Sequence, residues 1–291
     1  MKPAAFEYHR PTTAAETVAL LSELGDDAKV LGGGQSLIPM LALRLAVFGH
    51  LVDIGRLTEF DGIEHHDGAV RIGAGTTEAA VEHSAVVAEH VPLLARATPF
   101  VGHFQIRNRG TIGGSIAHAD PAAEYPAVAL ALDAEIEAIS PRGTRTIAAA
   151  ELFTGLWETA LEPDELLTAV TLPVWSGRCG FAVQEIARRH GDFAIAGAVI
   201  AVELDGDDRV ARCGIGLIGL GSTPVRAAAA EAAATGAPVG GVDAAELGRL
   251  AVADLDAIPA DLHGSAAYRA KVGAVMVERA WKQAIEEALG G

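Results

Sequence analysis

The chain is poor in cysteine, in aromatic residues and in positive charge, and it has no long hydrophobic run. Its 291 residues contain two cysteines, Cys179 and Cys213. Two scattered thiols exclude a disulfide framework and point to a reducing compartment. They also exclude an iron–sulfur cluster held by this chain alone, because such a cluster takes four ligands. Aromatic residues make up 5% of the chain, so each one is conspicuous. Lys and Arg together number 22 against 38 Asp and Glu, a net charge of −16. That surface repels nucleic acid and anionic membrane, and neither is expected as a partner. No uncharged apolar stretch reaches the length of a membrane span. The opening "MKPAAFEYHRPTTAAETV" lacks the apolar core of a secretory signal, so a cytoplasmic location is expected.

What the chain has instead is 33 glycines and an apolar half large enough for two or three subdomains. Thr13 and Glu16 form a capping-box pair that opens a helix over 14–24, with Val18, Leu21 and Leu24 at helical spacing. "AKVLGGG" reads as a buried strand running into glycines. "LIPMLALRLA" reads as a helix with Ser36 as N-cap and Pro39 in its first turn, where a missing N–H does no harm. "HLVDIG" is the next strand, so residues 1–55 form a β-α-β-like unit. "AVRIGAGTT" predicts a strand followed by a helix to about residue 96, and Pro121 an apolar helix. Residues 134–140 and 166–173 have strand composition, and a boundary falls near 173–180. Beyond it, 194–204 and 209–219 predict strands, 227–234 a helix, Asp243 with Glu246 a capping box, and 265–289 the last helix.

Three successive glycines at a strand-to-helix junction need a reason, since glycine costs stability unless the backbone requires it. A tight turn is one. A cradle of N–H groups around an anion is the other. "GGGQS" lacks G-K-[ST] and misses the dinucleotide spacing. A second cluster, "RGTIGGSIAHADP", places Gly113 and Gly114 between Thr111 and Ser115, again before a helix. Two backbone nests with hydroxyls beside them suit a ligand with two adjoining phosphates. Arg107 and Arg109 either screen that charge or form structural ion pairs. Glu124 either favours the helix dipole or accepts bonds from sugar-chain hydroxyls. Asp120, before Pro121, reads as a helix cap. Phe193 is either core or a stacking surface for a planar ring.

Two patterns are decoys. "GIGLIG", 214–219, satisfies G-x-G-x-x-G, but Gly221, Ser222 and Pro224 follow it and no helix can open there. Its glycines are expected inside a strand packed closely on a neighbour. His65 and His66 read as an exposed turn, and the ten histidines fall into no metal-ligand spacing, so no metal site is expected. No nucleophile-and-base system stands out.

"LGGGQSLIPMLALRLA" and "QIRNRGTIGGSIAHADPAAEYPA" together resemble the two FAD-binding motifs of the flavoprotein (medium) subunit of molybdenum hydroxylases, the family of aerobic carbon monoxide dehydrogenase and xanthine dehydrogenase. The resemblance runs on through "ARRHGDFAIAG" to "AYRAKVGAVMVERA". It implies an α+β fold: an FAD-binding PCMH-type region over 1–176, made of two α/β subdomains (about 1–55 and 56–176), then a CO dehydrogenase flavoprotein C-terminal domain over 177–291 with a small antiparallel sheet and helices. It assigns FAD contacts to Gly32, Gly33, Gly34, Gln35, Ser36 and Leu37, and to Thr111, Ile112, Gly113, Gly114 and Ser115. Glu124 falls near the sugar chain, Leu167 at a cofactor contact and Phe193 near the flavin. No catalytic side chain is implied. The partners implied are a large molybdenum-cofactor subunit and a small [2Fe–2S] subunit, in a dimer of heterotrimers, with FAD passing electrons to NAD, quinone or oxygen. Gln35 stands where the family often has histidine, Leu41-Ala42 where it has a more polar pair, and His118 where it often has asparagine. Competing readings are a stand-alone reductase of the UDP-N-acetylenolpyruvoylglucosamine reductase type and a flavin-free scaffold subunit.

Overall fold

The computed structural model describes residues 2–290. The first unit is a three-stranded parallel sheet, ordered Glu7–His9, His50–Asp53, Ala28–Leu31. The helix Ala14–Leu24 connects its outer strands to that order, and Thr13 caps it by accepting from the Glu16 N–H. The Glu16 carboxylate reaches back one residue further than expected, to the Thr12 N–H at 2.7 Å. Val18 and Leu21 bury against Val52 of the central strand, with Leu57, Phe60 and Leu166.

The next sheet is antiparallel and five-stranded, ordered Ile63–His66, Ala69–Gly73, Leu166–Pro173, Glu135–Ser140, Gly143–Ala148. His65 and His66 end its first strand, so the reading of them as a turn is corrected. The turn is Asp67-Gly68, both at positive φ. The single helix expected up to residue 96 is three short ones, Glu78–Glu82, Ala85–His90 and Pro92–Ala97. Ser84 caps the second with its hydroxyl on the Val87 N–H, and Pro92 opens the third. A proline cannot continue the helix before it, and a capped serine starts a new one.

The last sheet is antiparallel, ordered Arg178–Ile186, Ala196–Leu204, Val210–Ile218, Val225–Arg226. The long helix Ala266–Ala288 crosses one face. It comes so close that a Cβ on Gly180 would lie 1.8 Å from the Ala284 carbonyl oxygen. The other face receives the helix Glu124–Ala131, on which all eight residues are buried. The decoy glycines make that contact possible. A Cβ on Gly214 or Gly216 would meet the carbonyl oxygens of Ala131 and Ala127 at 1.9 and 2.2 Å. They lie in a strand under a helix, as expected of them. A helix apolar on every side has to be enclosed, and this one carries its first residue, Glu124, into the interior.

Pro121 does not open that helix. Asp120 closes a turn ahead of it, accepting from the Ala122 N–H at 2.8 Å, and Ala123 holds the N-cap position without a side-chain bond. Among the described residues no helix is long and apolar enough to cross a membrane.

Candidate functional site

The first glycine loop leaves the sheet at Leu31, whose carbonyl is taken by the Ile54 N–H, and enters the helix Leu37–Leu43. Gly34 sits at φ 74°, the left-handed region that glycine enters freely. The Gln35 side-chain amide donates to the Gly33 carbonyl at 3.1 Å and ties the loop to itself. Ser36 holds the N-cap position, but its backbone is helical and its hydroxyl makes no capping bond, so the expected cap is not formed. Among the described residues, no hydrogen-bond partner is found for the N–H groups of Gly32, Gly33, Gly34, Gln35 or Ser36. Five consecutive unpaired donors, followed by a helix start, are a donor set that suits an anion.

The second loop is wired differently. The N–H groups of Ile112 and Gly113 donate to the Thr76 and Ala74 carbonyls at 3.1 and 3.0 Å. Gly114 donates to the Thr111 hydroxyl at 3.0 Å, and Ser115 to the Thr111 carbonyl at 3.0 Å. The expectation of a second bare-backbone nest is therefore corrected: four of its donors are engaged within the protein. What this loop leaves available is the hydroxyls of Thr111 and Ser115. Gly113 is there for packing, since a Cβ would lie 2.4 Å from that of Ala74.

The two loops touch. A Cβ on Gly33 would lie 2.0 Å from the Arg109 carbonyl oxygen and 2.7 Å from the Gly110 Cα, and one on Gly32 would lie 3.3 Å from the Thr111 hydroxyl. Segments far apart in the chain thus meet backbone to backbone, with the free donors of one beside the hydroxyl of the other. Of the arginines expected there, Arg107 is a structural ion pair. It is buried, binds Glu82 through two nitrogens at 2.7 and 3.0 Å, and caps the Val101 and Gly102 carbonyls. Arg109 brings its carbonyl to Gly33, and its side chain is exposed.

Behind the second loop lie three acidic groups, of which sequence reasoning named only Glu124. Glu78 packs its carboxylate against Gly110, where a Cβ would stand 2.4 Å from Oε2. That oxygen and Oε2 of Glu185 are buried without a partner. Burial pushes Glu78 up to about 8, opposed by the Arg107 charge. Burial, then the Glu185 charge, pushes Glu124 up to about 8. Burial pushes Glu185 to about 7. A protonated carboxyl both donates and accepts, which fits it to a hydroxyl-bearing chain. The only sequence signal for Glu78 is that Thr77 caps its helix, and Glu185 stands in an ordinary strand.

Leu167 is buried in the strand Leu166–Pro173. Its neighbour Thr168 accepts from the Ala74 N–H at 2.9 Å, and Ala74 in turn accepts from Gly113, so this strand backs the second loop. Phe193 is neither core nor covered: it is 67% exposed, in the loop between Ile186 and Ala196. That loop lies against His103, just ahead of the helix Phe104–Arg107. Both cysteines are poor thiolates. Burial, then the Glu203 charge, pushes Cys179 up to about 11, and burial pushes Cys213 up as well.

The family described as "FAD binding domain in molybdopterin dehydrogenase" matches residues 4–175, and that described as "CO dehydrogenase flavoprotein C-terminal domain" matches 181–284. The 6-hydroxypseudooxynicotine dehydrogenase complex subunit alpha of Paenarthrobacter nicotinovorans is 41% identical, over 99% of this chain and 97% of its own. The caffeine dehydrogenase subunit beta of Pseudomonas sp. (strain CBB1) is 36% identical, over 98% and 97%. The solved carbon monoxide dehydrogenase from Hydrogenophaga pseudoflava superimposes with a TM-score of 0.93 at 38% identity, over 99% of both chains.

Proposed function

We propose, for a chain that belongs to the FAD-binding medium subunits of molybdenum hydroxylases, that it collects electrons on FAD from the [2Fe–2S] clusters of a partner subunit and delivers them to an external acceptor. The observation that carries this reading is the meeting of the two glycine loops, with Gly33 against the Arg109 carbonyl. That contact leaves no room for a Cβ on Gly33, so the bare backbone of the first loop comes up against the second, and its unpaired N–H groups are left for a pyrophosphate beside the Thr111 hydroxyl. FAD supplies the redox chemistry when bound, and the protein supplies position and electrostatics.

The N–H groups of Gly32 to Ser36 and the helix start at Leu37 hold the diphosphate from one side. Thr111 and Ser115 hold it from the other through hydroxyls, with Ile112, Gly113 and Gly114 fixing the shape of that wall. A backbone grip needs little cationic charge, in keeping with a net charge of −16. Glu124, protonated near neutrality, meets the sugar-chain hydroxyls, Leu167 lines the cofactor slot, and exposed Phe193 offers a face to the flavin. No side chain here acts as an acid or base on substrate. Two unreactive thiols cannot hold a cluster, so a small [2Fe–2S] subunit must carry it. A large molybdenum-cofactor subunit oxidises the substrate, and the assembly is a cytoplasmic dimer of heterotrimers. Carbon monoxide, purines and N-heteroaromatic compounds all suit a substrate site on that other chain.

The test is direct. The purified chain should be yellow and carry about one FAD. In the complex, substrate should bleach that flavin only while the cluster-bearing subunit is present. A colourless chain that binds no added FAD, or flavin bleaching without the cluster-bearing subunit, overturns the proposal.

A further inference from the structure

The first sheet holds a second constellation, at the end opposite the glycine loop. Glu7 is in register with His50 on the parallel central strand, and His50 with Ala28 on the far side. Side chains two apart on a strand share a face, so Glu7 and His9 both stand beside His50. The three are separated by 41 or more positions in the chain from one side to the other, which is why no metal spacing was legible in the sequence.

The geometry is that of a preformed ligand set. His9 Nε2 and His50 Nδ1 are 3.1 Å apart, His50 Nδ1 and Glu7 Oε2 3.6 Å, and His9 Nε2 and Glu7 Oε2 4.0 Å. A tetrahedral zinc ion with bonds of about 2.0–2.1 Å has ligand atoms about 3.3 Å apart. The observed edges bracket that value. Asp27 completes the arrangement from behind. Its Oδ2 lies 4.0 Å from the other ring nitrogen of His50, and its Oδ1 is fixed by the Gly49 N–H at 2.8 Å. That gap is longer than a hydrogen bond, and closing it by about 1 Å on metal binding would let Asp27 accept the His50 Nε2–H and leave Nδ1 bare for the metal. The histidines are half-buried, at 24% and 22% exposure of the side chain, while Glu7 is open at 75%, so an ion has an entry path.

We propose that Glu7, His9 and His50 bind a borderline divalent transition ion of the zinc class, with Asp27 as the positioning residue. Two imidazoles and one carboxylate suit such an ion, and too few oxygens are present for calcium or magnesium. The ion clips the edge strand Glu7–His9 to the central strand. It stands apart from the nucleotide cradle, since Leu31 and Asp53 close the other end of the same sheet.

The probe is Zn2+ alone, titrated by calorimetry into the full-length, metal-stripped chain. One Zn2+ per chain should bind and raise the melting temperature. His9→Ala and His50→Ala should each abolish stoichiometric binding and the thermal shift. Asp27→Asn should weaken binding by about 10- to 100-fold. His66→Ala, which removes an exposed histidine beside Glu64, should change nothing. Flavin content should be unchanged in His9→Ala, which separates a failure of this site from a failure of the FAD cradle. Absence of stoichiometric binding in the unmodified chain, or binding that survives both His9→Ala and His50→Ala, overturns the proposal.

Discussion

The two glycine loops use the same residue for opposite ends. In Gly32–Ser36 the missing side chains keep donors free: Gly34 takes a positive φ, and among the described residues the N–H groups make no hydrogen bond. In Thr111–Ser115 the missing side chains let the loop pack, and its donors are tied to Ala74, Thr76 and Thr111. One loop leaves its backbone donors unpaired among the described residues, and the other spends them within the protein and leaves hydroxyls, which is the division of labour proposed above for the cofactor's diphosphate. Similar composition therefore does not mean similar work. A nest is defined by where its N–H groups go, and that depends on the neighbouring strand. The second loop lies against the segment after Ala69–Gly73, whose carbonyls take two of its donors, whereas the first loop's neighbour, Arg109-Gly110, takes none of that loop's donors among the described residues.

The sharpest way to break this comparison is to add a side chain to each loop. Gly113→Val places a branched group on the Ala74 backbone in a buried wall, where overpacking costs about 1–3 kcal/mol or more. Soluble yield, melting temperature and flavin content should fall together. Gly33→Val meets the Arg109 carbonyl at the contact between the loops. It should part them while the cores of the three sheets persist. Losing two charge-assisted bonds to the diphosphate costs about 3–6 kcal/mol, a hundredfold or more in affinity. The expected result is a chain with a near-native far-ultraviolet spectrum that no longer retains FAD. Equal flavin content in the Gly33→Val and unmodified chains would contradict the receptor role.

A smaller effect separates the wall's cap from its hydroxyl. Thr111 accepts the Gly114 N–H and stands beside Gly32. Thr111→Val removes the cap, worth about 1 kcal/mol, together with a ligand donor. Thr111→Ser restores both. Melting temperature and FAD affinity should drop in the first variant, affinity by roughly tenfold for one lost bond, and recover in the second. Recovery of stability without recovery of affinity would leave Thr111 as a cap only.

How much of this was legible beforehand follows from the range of each interaction. The helices Ala14–Leu24 and Ala244–Ala253 were readable because capping boxes and apolar spacing are local, and Ala228–Ala234 because a run of alanine favours helix by itself. The strand Gly143–Ala148 was not, because it is a mostly exposed edge of polar residues without an apolar face. Arg178–Ile186 was hidden behind a boundary signal in "PVWSGRCG". The glycine motifs suggested a phosphate site by their resemblance, but the different fates of their backbone donors were invisible, since those of Ile112 and Gly113 are decided by Thr76 and Ala74. Glu78 and Glu185 carried no motif. What distinguishes them is burial without a partner, a property of the folded chain alone.

Those carboxyls give the mildest and most selective test, because they stand behind the wall and not behind the receptor. Glu78 and Glu124 are raised to about 8 and Glu185 to about 7, from an ordinary value of 4.5. The folded chain therefore keeps protons that the unfolded chain has released, and stability falls as pH rises through that window. Their contribution is complete below the unfolded value and lost above the folded one. His118 has the opposite sense. Burial lowers it, against the pull of Asp120, so it destabilises the fold as pH falls below its ordinary 6.5. Between pH 6.5 and about 8 the carboxyls act without that opposition. The melting temperature of the purified chain should decline across this interval, and Glu124→Gln and Glu185→Gln should each flatten the decline. The Thr111→Val chain should keep it, because its hydroxyl does not titrate. A melting temperature that stays flat across this interval in the unmodified chain would mean that these groups are already charged in the fold, as they are in the unfolded chain, and would overturn the reading of them as neutral carboxyls.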